Sequence, residues 1–470
     1  MSKFINVIGG GLAGVEAAWQ TAELGVKVRL FEMRPVLQTP AHRTDQLAEI
    51  VCSNSLKTDE PGSAPYLLKE ELRRGGSLVL EVAAKTRVPA GAALSVDRIK
   101  FAEMITERVA AHPNIEIVRE EVTTIPVGTG NGSDRGLSAS KTPVTIVPGS
   151  DTDVTIIATG PLTSDALTKE IMRLTGDDQL YFYDAIAPIV AADSIDMSIA
   201  FKAARYGKGG DDYINCPMSP EQYDVFYSAL IAAKSVPLKR FEDTHWFESC
   251  LPIEEAARRG VDTLRYGPMK PRGLPDPKTG REPWACVQLR QENMMADAYG
   301  LVGFQNHLRY GEQERVLKLI PGLENAEFLQ FGQIHRNTFI NSPKILNENL
   351  STRTNPRLFF AGQITGVEGY VESVATGWLA GINAVRVMHG QDMITAPQTS
   401  AVGALCRYVS NVETKNFQPV NITFGLLQEL PVELRKKYRN KRERHAIQVE
   451  RALVDWDAWM TEHLRRVATA

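Results

Sequence analysis

The run Gly9-Gly10-Gly11-Leu12-Ala13-Gly14 constrains this chain more than any other feature, because it directly follows a β-rich stretch, Phe4 to Ile8, and directly precedes Val15-Glu16-Ala17-Ala18-Trp19, which has helical periodicity. The order is strand, tight turn, helix. With glycines at 9, 11 and 14, the first serves the turn, the second admits a pyrophosphate to the backbone, and the third lets the helix pack on the strand. Phosphates then lie at the helix N-terminus, where unpaired amides and the helix dipole favour anions. Gly10, Leu12 and Ala13 belong to the same cradle. A second β-rich stretch, Lys27 to Phe31, ends in Glu32, at the distance where a carboxylate holds a ribose diol. The alternative reading is a glycine-rich turn with Glu32 merely exposed.

Two later stretches end in the same way. Val154 to Ala158 runs into Thr159-Gly160, and Arg357 to Ala361 runs into Gly362-Gln363. The second continues through Gly369 and Tyr370 to a helix-like stretch, Val371 to Met388, whose first amides would face the electron-rich edge of a flavin ring. Both returns to the nucleotide domain suit a glutathione-reductase-like FAD fold. Ordinary buried strands of an NAD-dependent α/β enzyme are the alternative.

A chain of 470 residues, 43% hydrophobic, is long enough for two or three domains. The expected fold is α/β: a glutathione-reductase-like FAD-binding Rossmann domain formed by 1–183 and 331–395, an inserted α/β domain at 184–330, and a C-terminal helical, basic segment at 396–470. Gly128 to Lys141, rich in Gly and Ser, reads as a loose hairpin or loop between Ile115–Val118 and Val144–Val147.

A net charge of -3 gives no overall attraction to nucleic acid, so any such contact must be local. Arg435, Lys436, Lys437, Arg439, Lys441, Arg442 and Arg444 form one local patch, readable either as a solvated helix face or as an RNA-backbone contact. The five cysteines are odd in number and widely spaced, which speaks against a disulfide framework and a metal site. With neither a signal peptide nor an apolar run of about 18 residues, the chain is expected in the cytoplasm, off the membrane, with reduced thiols.

Further strings extend the pattern: Ile50-Val51-Cys52-Ser53-Asn54-Ser55-Leu56-Lys57, Tyr213-Ile214-Asn215-Cys216-Pro217-Met218, Gly303 to Leu308, Gly332 to Thr338, and Gly362 to Tyr370. Together they resemble the folate- and FAD-dependent tRNA (uracil-5-)-methyltransferases over nearly the whole chain. That family is related to larger flavoproteins that modify the wobble uridine of tRNA, whose long C-terminal helical region this chain lacks. The resemblance implies that 5,10-methylenetetrahydrofolate supplies a carbon, reduced FAD a hydride, and NADH or NADPH the electrons that regenerate it. The implied product is 5-methyluridine in the T-loop of tRNA, with ribosomal RNA as an alternative target and an RNA-binding flavoprotein or chaperone as an alternative role.

Carbon 5 of uracil is a poor nucleophile, so such chemistry needs a thiolate at carbon 6 to form an enolate. Cys216 is the expected nucleophile, because Ser219-Pro220-Glu221-Gln222 reads as the cap of a helix running toward Leu230, and a helix N-terminus depresses a thiol pKa. The bland reading is a small buried hydrophobe. Cys52 is placed by the resemblance near the flavin, assisting transfer at carbon 5, and Asn54 in the same polar loop is expected to bind the cofactor. Tyr370 or Trp284 could face the pterin, and Lys270, Arg272 and Arg281 the RNA. Cys250, Cys286 and Cys406 carry no assigned chemistry.

Overall fold

Five parallel strands form the central sheet in the order Leu358–Phe360, Val154–Ile157, Phe4–Ile8, Lys27–Phe31, Ile115–Val118. Phe4–Ile8 and Val154–Ile157 are almost wholly buried, which is why they read as apolar runs without alternation. The first strand lies in the middle, and the chain builds outward from it in both directions. The order therefore reverses between Phe4–Ile8 and Val154–Ile157, and a crevice opens at their carboxyl ends. In this computed structural model the described residues are 4–125, 144–145, 154–176, 180–237, 251–414 and 416–464.

The helix Leu12–Glu23 packs against the long helix Tyr370–Met388. Their backbones touch, since a Cβ on Gly377 would stand 2.2 Å from the Ala13 carbonyl oxygen and one on Gly381 would stand 2.6 Å from that of Ala17. Thr21 Oγ1 donates to the Gly381 carbonyl at 3.3 Å across the same seam. The C-terminal segment is helical at Ala401–Ser410 and Lys441–His463, yet it has no core of its own. Trp456 and Trp459 cluster on Trp378 of the long helix, and Glu71 caps Ala401–Ser410 by accepting from the Ala401 and Val402 amides.

A second sheet of six strands has the order Phe201–Lys202, Tyr213–Met218, Ala285–Gln291, Ala298–Leu301, Ile189–Ala191, Phe328–Gln330. All its pairings are antiparallel, and its core is separate from that of the parallel sheet. The helix Pro220–Ala232 covers it, opened by Ser219 as cap, Pro220 in the first turn and Gln222 closing a capping box, as the local sequence predicts. The antiparallel pair Leu180–Ala185 and Ile334–Phe339 carries the chain in and out.

Of the two readings of the 128–141 stretch, hairpin or loop, a hairpin joining Ile115–Val118 to 144–147 is not formed: Ile115–Val118 is the edge strand beside Lys27–Phe31. It arrives by a crossover through the helix Arg98–Ala110, and a crossover of that kind returns parallel. Val144–Thr145 pairs instead with Val122–Thr124. The loop at 128–141 lies outside the described residues. Among the described residues no helix is long and apolar enough to cross a membrane.

Candidate active site

The crevice at the switch point opens as a cleft at the carboxyl ends of the parallel strands. Gly9–Ala13 and Glu32 line one side, Thr159 and Gly160 the middle, and Gly362, Gln363, Tyr370 and Ser373 the far end. Gly9 has φ +105°, a left-handed conformation that favours glycine, and a Cβ on Gly14 would lie 1.8 Å from the Gly9 carbonyl oxygen. The Leu12–Glu23 helix has no side-chain cap at Gly11, and a Cβ there would meet nothing within 4 Å. Open space above uncapped amides is what a pyrophosphate requires, so the cradle fits a dinucleotide.

Glu32 is buried, with both carboxylate oxygens already hydrogen-bonded and Oε2 still able to accept from a ribose hydroxyl. One carboxylate oxygen accepts from the Gly10 amide at 3.0 Å, the other from the Arg34 amide at 3.0 Å and Arg34 Nε at 2.9 Å. Burial alone would raise this carboxyl, but the Arg34 hydrogen bond and charge outweigh it and hold Glu32 below its ordinary range. Arg34 also binds Glu49 at 2.9 Å and the carbonyls of Thr44 and Gln46. The segment from Thr39 to Glu49 is thereby drawn over the cleft, with Thr39 and His42 among its lining. Sequence reasoning missed Arg34: a lone arginine two residues after Glu32 carries no spacing signal.

At the other end, the Gly362 amide donates to Thr376 Oγ1 at 2.7 Å, and Gln363 Nε2 donates to Glu368 at 2.7 Å. Thr159 Oγ1 lies 2.6 Å from Thr163 Oγ1, closing the turn at Gly160. Gly369 is the N-cap residue of Tyr370–Met388 and has no side chain to satisfy the first amides. The dipole of a 19-residue helix therefore ends beside Tyr370, at the cleft.

Cys52 sits at the rim, next to Val51, which lines the cleft. Its amide donates to the Tyr370 hydroxyl at 3.0 Å, and its thiol reaches the Ala185 carbonyl at 3.8 Å. Arg98 clamps the same loop, donating to the Ile50 carbonyl at 3.0 Å and the Cys52 carbonyl at 2.9 Å while pairing with Glu292 at 2.7 Å. The loop is therefore the seam between the two sheets. Neither Arg98 nor Glu292 stands out in the sequence, because the pair is distant along the chain.

Three expectations change. Asn54 is fully buried in that seam, with its amide donating to the Val96 and Gln291 carbonyls and its oxygen accepting from Arg290 Nε at 2.7 Å, so its side chain has nothing left for a cofactor. Cys216 lies within the strand Tyr213–Met218, wholly buried in the core of the antiparallel sheet. Burial pushes its thiol up, the opposite of the expected depression: the strand places the side chain in apolar packing three residues short of the helix cap. Trp284 stacks under Arg265, 3.4 Å from its ring centre, and is not among the residues lining the cleft. Cys250 lies outside the described residues.

A parallel sheet of this order, with a glycine cradle at its switch point and a long buried helix ending on the cleft, defines a dinucleotide-binding flavoprotein. The profile of the family described as glucose inhibited division protein A matches residues 4–392. The methylenetetrahydrofolate--tRNA-(uracil-5-)-methyltransferase TrmFO of Koribacter versatilis is 57% identical over 98% of both chains. Its counterpart in Solibacter usitatus is 55% identical over 96% of this chain and 98% of that one. The structure of Aquifex aeolicus GidA in its form I crystal superposes with a TM-score of 0.66 at 17% identity, covering 98% of this chain and 80% of that one, and shares the fold. The chain belongs to the TrmFO family of methylenetetrahydrofolate--tRNA-(uracil-5-)-methyltransferases, which is related to GidA.

Proposed function

We infer that this protein methylates carbon 5 of a uridine in tRNA, taking the carbon from 5,10-methylenetetrahydrofolate, and that the target is the T-loop uridine. The observation that carries the site assignment is the Cys52–Tyr370 contact: of the two candidate thiols, Cys52 is the one held at the rim of the flavin cleft. Bound FAD would supply the hydride that completes the methyl group, and a reduced nicotinamide, NADH or NADPH, is proposed to restore it.

The protein's own part is positional. Gly9–Ala13 and Gly160 would hold the pyrophosphate, Glu32 the ribose, and the first turn of Tyr370–Met388 the edge of the flavin ring. Cys52 is proposed to add its sulfur to carbon 6 of the uracil as thiolate, making carbon 5 nucleophilic toward the one-carbon unit. Loss of the carbon 5 proton and cleavage of the bond to tetrahydrofolate, which departs, would leave an exocyclic methylene, and hydride delivery to that carbon with expulsion of the thiolate from carbon 6 would complete the methyl group and restore the ring. Cys216 is assigned to packing of the antiparallel sheet.

The test uses unmodified tRNA, methylenetetrahydrofolate labelled in its methylene carbon, and NADH or NADPH, with label located by nucleoside mass spectrometry. Label in T-loop 5-methyluridine that is lost in Cys52→Ala and retained in Cys216→Ala supports the assignment. Loss in Cys216→Ala with retention in Cys52→Ala overturns it. Label in ribosomal RNA but not tRNA would move the target.

A further inference from the structure

The basic residues near the C-terminus do not form a uniform solvated face. Arg435, Lys441, Arg444 and His445 converge on one groove, whose remaining wall is Thr423, Phe424, Gly425, Glu429 and Leu430. Lys436, Lys437 and Arg439 are exposed and do not line it. The floor is built: His445 lies flat on the Phe424 ring, with centres 3.6 Å apart. Arg435 is drawn to the rim by Glu429, whereas Lys441 and Arg444 have no carboxylate partner among the described residues. Such a groove, with cations in excess of acids and a flat ring surface, suits a phosphodiester beside a base.

Its place in the fold gives it an address. The chain entering the groove leaves the flavin site: the Glu368 amide donates to the Val420 carbonyl at 2.8 Å, Lys57 bridges Glu372 and Asn421, and the Ile422 amide donates to Glu372 at 3.1 Å. Thr423 and Phe424 follow at once. Two residues of extended chain span at most about 7 Å, so the groove opens within a few nucleotides of the first turn of the flavin-facing helix.

We propose that the groove between Thr423–Leu430 and the start of the Lys441–His463 helix binds the phosphodiester backbone of the tRNA near the target uridine, through Arg435, Lys441 and Arg444, with the Phe424–His445 pair as its floor. This rests on tRNA being the substrate. A bound phosphate also favours the protonated form of His445. Burial first, then Lys441 and Arg444 on its own helix, hold that imidazole below its ordinary range, and Glu429 and Arg435 are the charged groups facing it across the groove. Binding therefore takes up a proton, and because the free imidazole titrates below its ordinary value the gain in affinity comes as pH falls from about 7 toward 5.

The measurement is the Kd of FAD-loaded full-length protein for unmodified tRNA across a salt series, for wild type, for Lys441→Ala/Arg444→Ala, and for the triple variant adding Arg435→Ala. Alanine is the best helix former, so the helices survive these changes, and retained flavin absorbance and circular dichroism check this. Each removed contact should flatten the slope of log Kd against log salt by about 0.7 to 0.9, and the triple variant should bind at least about tenfold more weakly. His445→Gln, with Phe424 intact, should lose the gain in affinity between about pH 7 and pH 5. Lys318→Ala, at the end of the Tyr310–Leu317 helix and paired with Glu314 of that helix, serves as the comparison and should leave the slope unchanged. Competition by millimolar inorganic phosphate as effective as that by tRNA would identify a free-phosphate site and overturn the proposal. An unchanged slope in the triple variant, with wild type still methylating tRNA, overturns the groove alone. A wild type that neither binds nor methylates tRNA overturns both readings.

Discussion

The amide of Cys52 donates to the hydroxyl of Tyr370 at 3.0 Å, joining a loop of the seam to the first residue of the helix that ends on the flavin cleft. The two residues are 318 positions apart, so neither can be placed by its own neighbours in the chain.

Tyr370→Phe removes this bond and keeps the ring. An amide left unpaired costs about 1 to 3 kcal/mol, here borne by the loop that carries the thiol. Flavin content should be unchanged and methyl transfer should fall about tenfold, the equivalent of about 1.4 kcal/mol. Parallel measurement of flavin absorbance and label transfer checks this. An unchanged rate would separate Cys52 from the chemistry.

Exposure should order the thiols. Cys52 is half-buried, whereas Cys216, Cys286 and Cys406 are buried, and burial pushes the last two up to about 12. Brief treatment of native protein with iodoacetamide, carried out in a Cys250→Ser background and followed by peptide mapping, should label Cys52 ahead of the other three. Earlier labelling of Cys216 would mean that the antiparallel sheet opens in solution and would reinstate that cysteine as a candidate nucleophile.

Two glycines of the cradle should fail differently. Gly14→Ala places a methyl 1.8 Å from the Gly9 carbonyl, forcing helix from strand, and should cost about 3 kcal/mol or more together with the flavin. Gly11→Ala meets nothing within 4 Å, so Tm should hold while affinity for FAD falls, because the methyl occupies space open to the pyrophosphate. Thermal unfolding with flavin titration distinguishes them. Equal Tm losses would refute the assignment.

Two buried carboxyls set a pH dependence. Burial raises Glu71 from 4.5 to about 8, despite the Val402 and Ala401 amides it accepts from, and raises Glu16 from 4.5 to about 7. The folded chain holds these protons more tightly than the unfolded chain. Their contribution is complete below pH 4.5 and is lost as pH rises through about 7 and 8, at roughly 1.4 kcal/mol per pH unit per group inside its window. Urea midpoints should therefore fall between pH 6 and pH 8. Glu71→Gln, with no proton to release, should show a shallower decline, although its amide cannot accept from both backbone donors. A parallel decline in the variant would rule out Glu71 as the source.

Much of the nucleotide half was legible because its signals are local. Lys27–Phe31 and Ile115–Val118 are strands at the limits read from the sequence, and the Ser219 cap, Pro220 and Gln222 stand as the spacing predicts. Caps and turns are decided by residues within four positions of one another. Partnership between strands is not, and so the sequence left open whether Ile115–Val118 belonged to a hairpin, where the structure pairs it with Lys27–Phe31.

The cysteines show the boundary most sharply. The sequence alone determined a strand, turn and helix with a carboxylate at the second strand's end, because backbone sterics at Gly9 and Gly14 and the periods of strand and helix act over short range. It also determined that Cys216 precedes a well-capped helix. Which thiol lies beside the cleft and which is enclosed was decided only by tertiary structure, because burial is a property of what packs against a residue. The antiparallel sheet encloses Cys216, while Tyr370, Arg98 and Glu292, each remote along the chain, bring Cys52 to the rim.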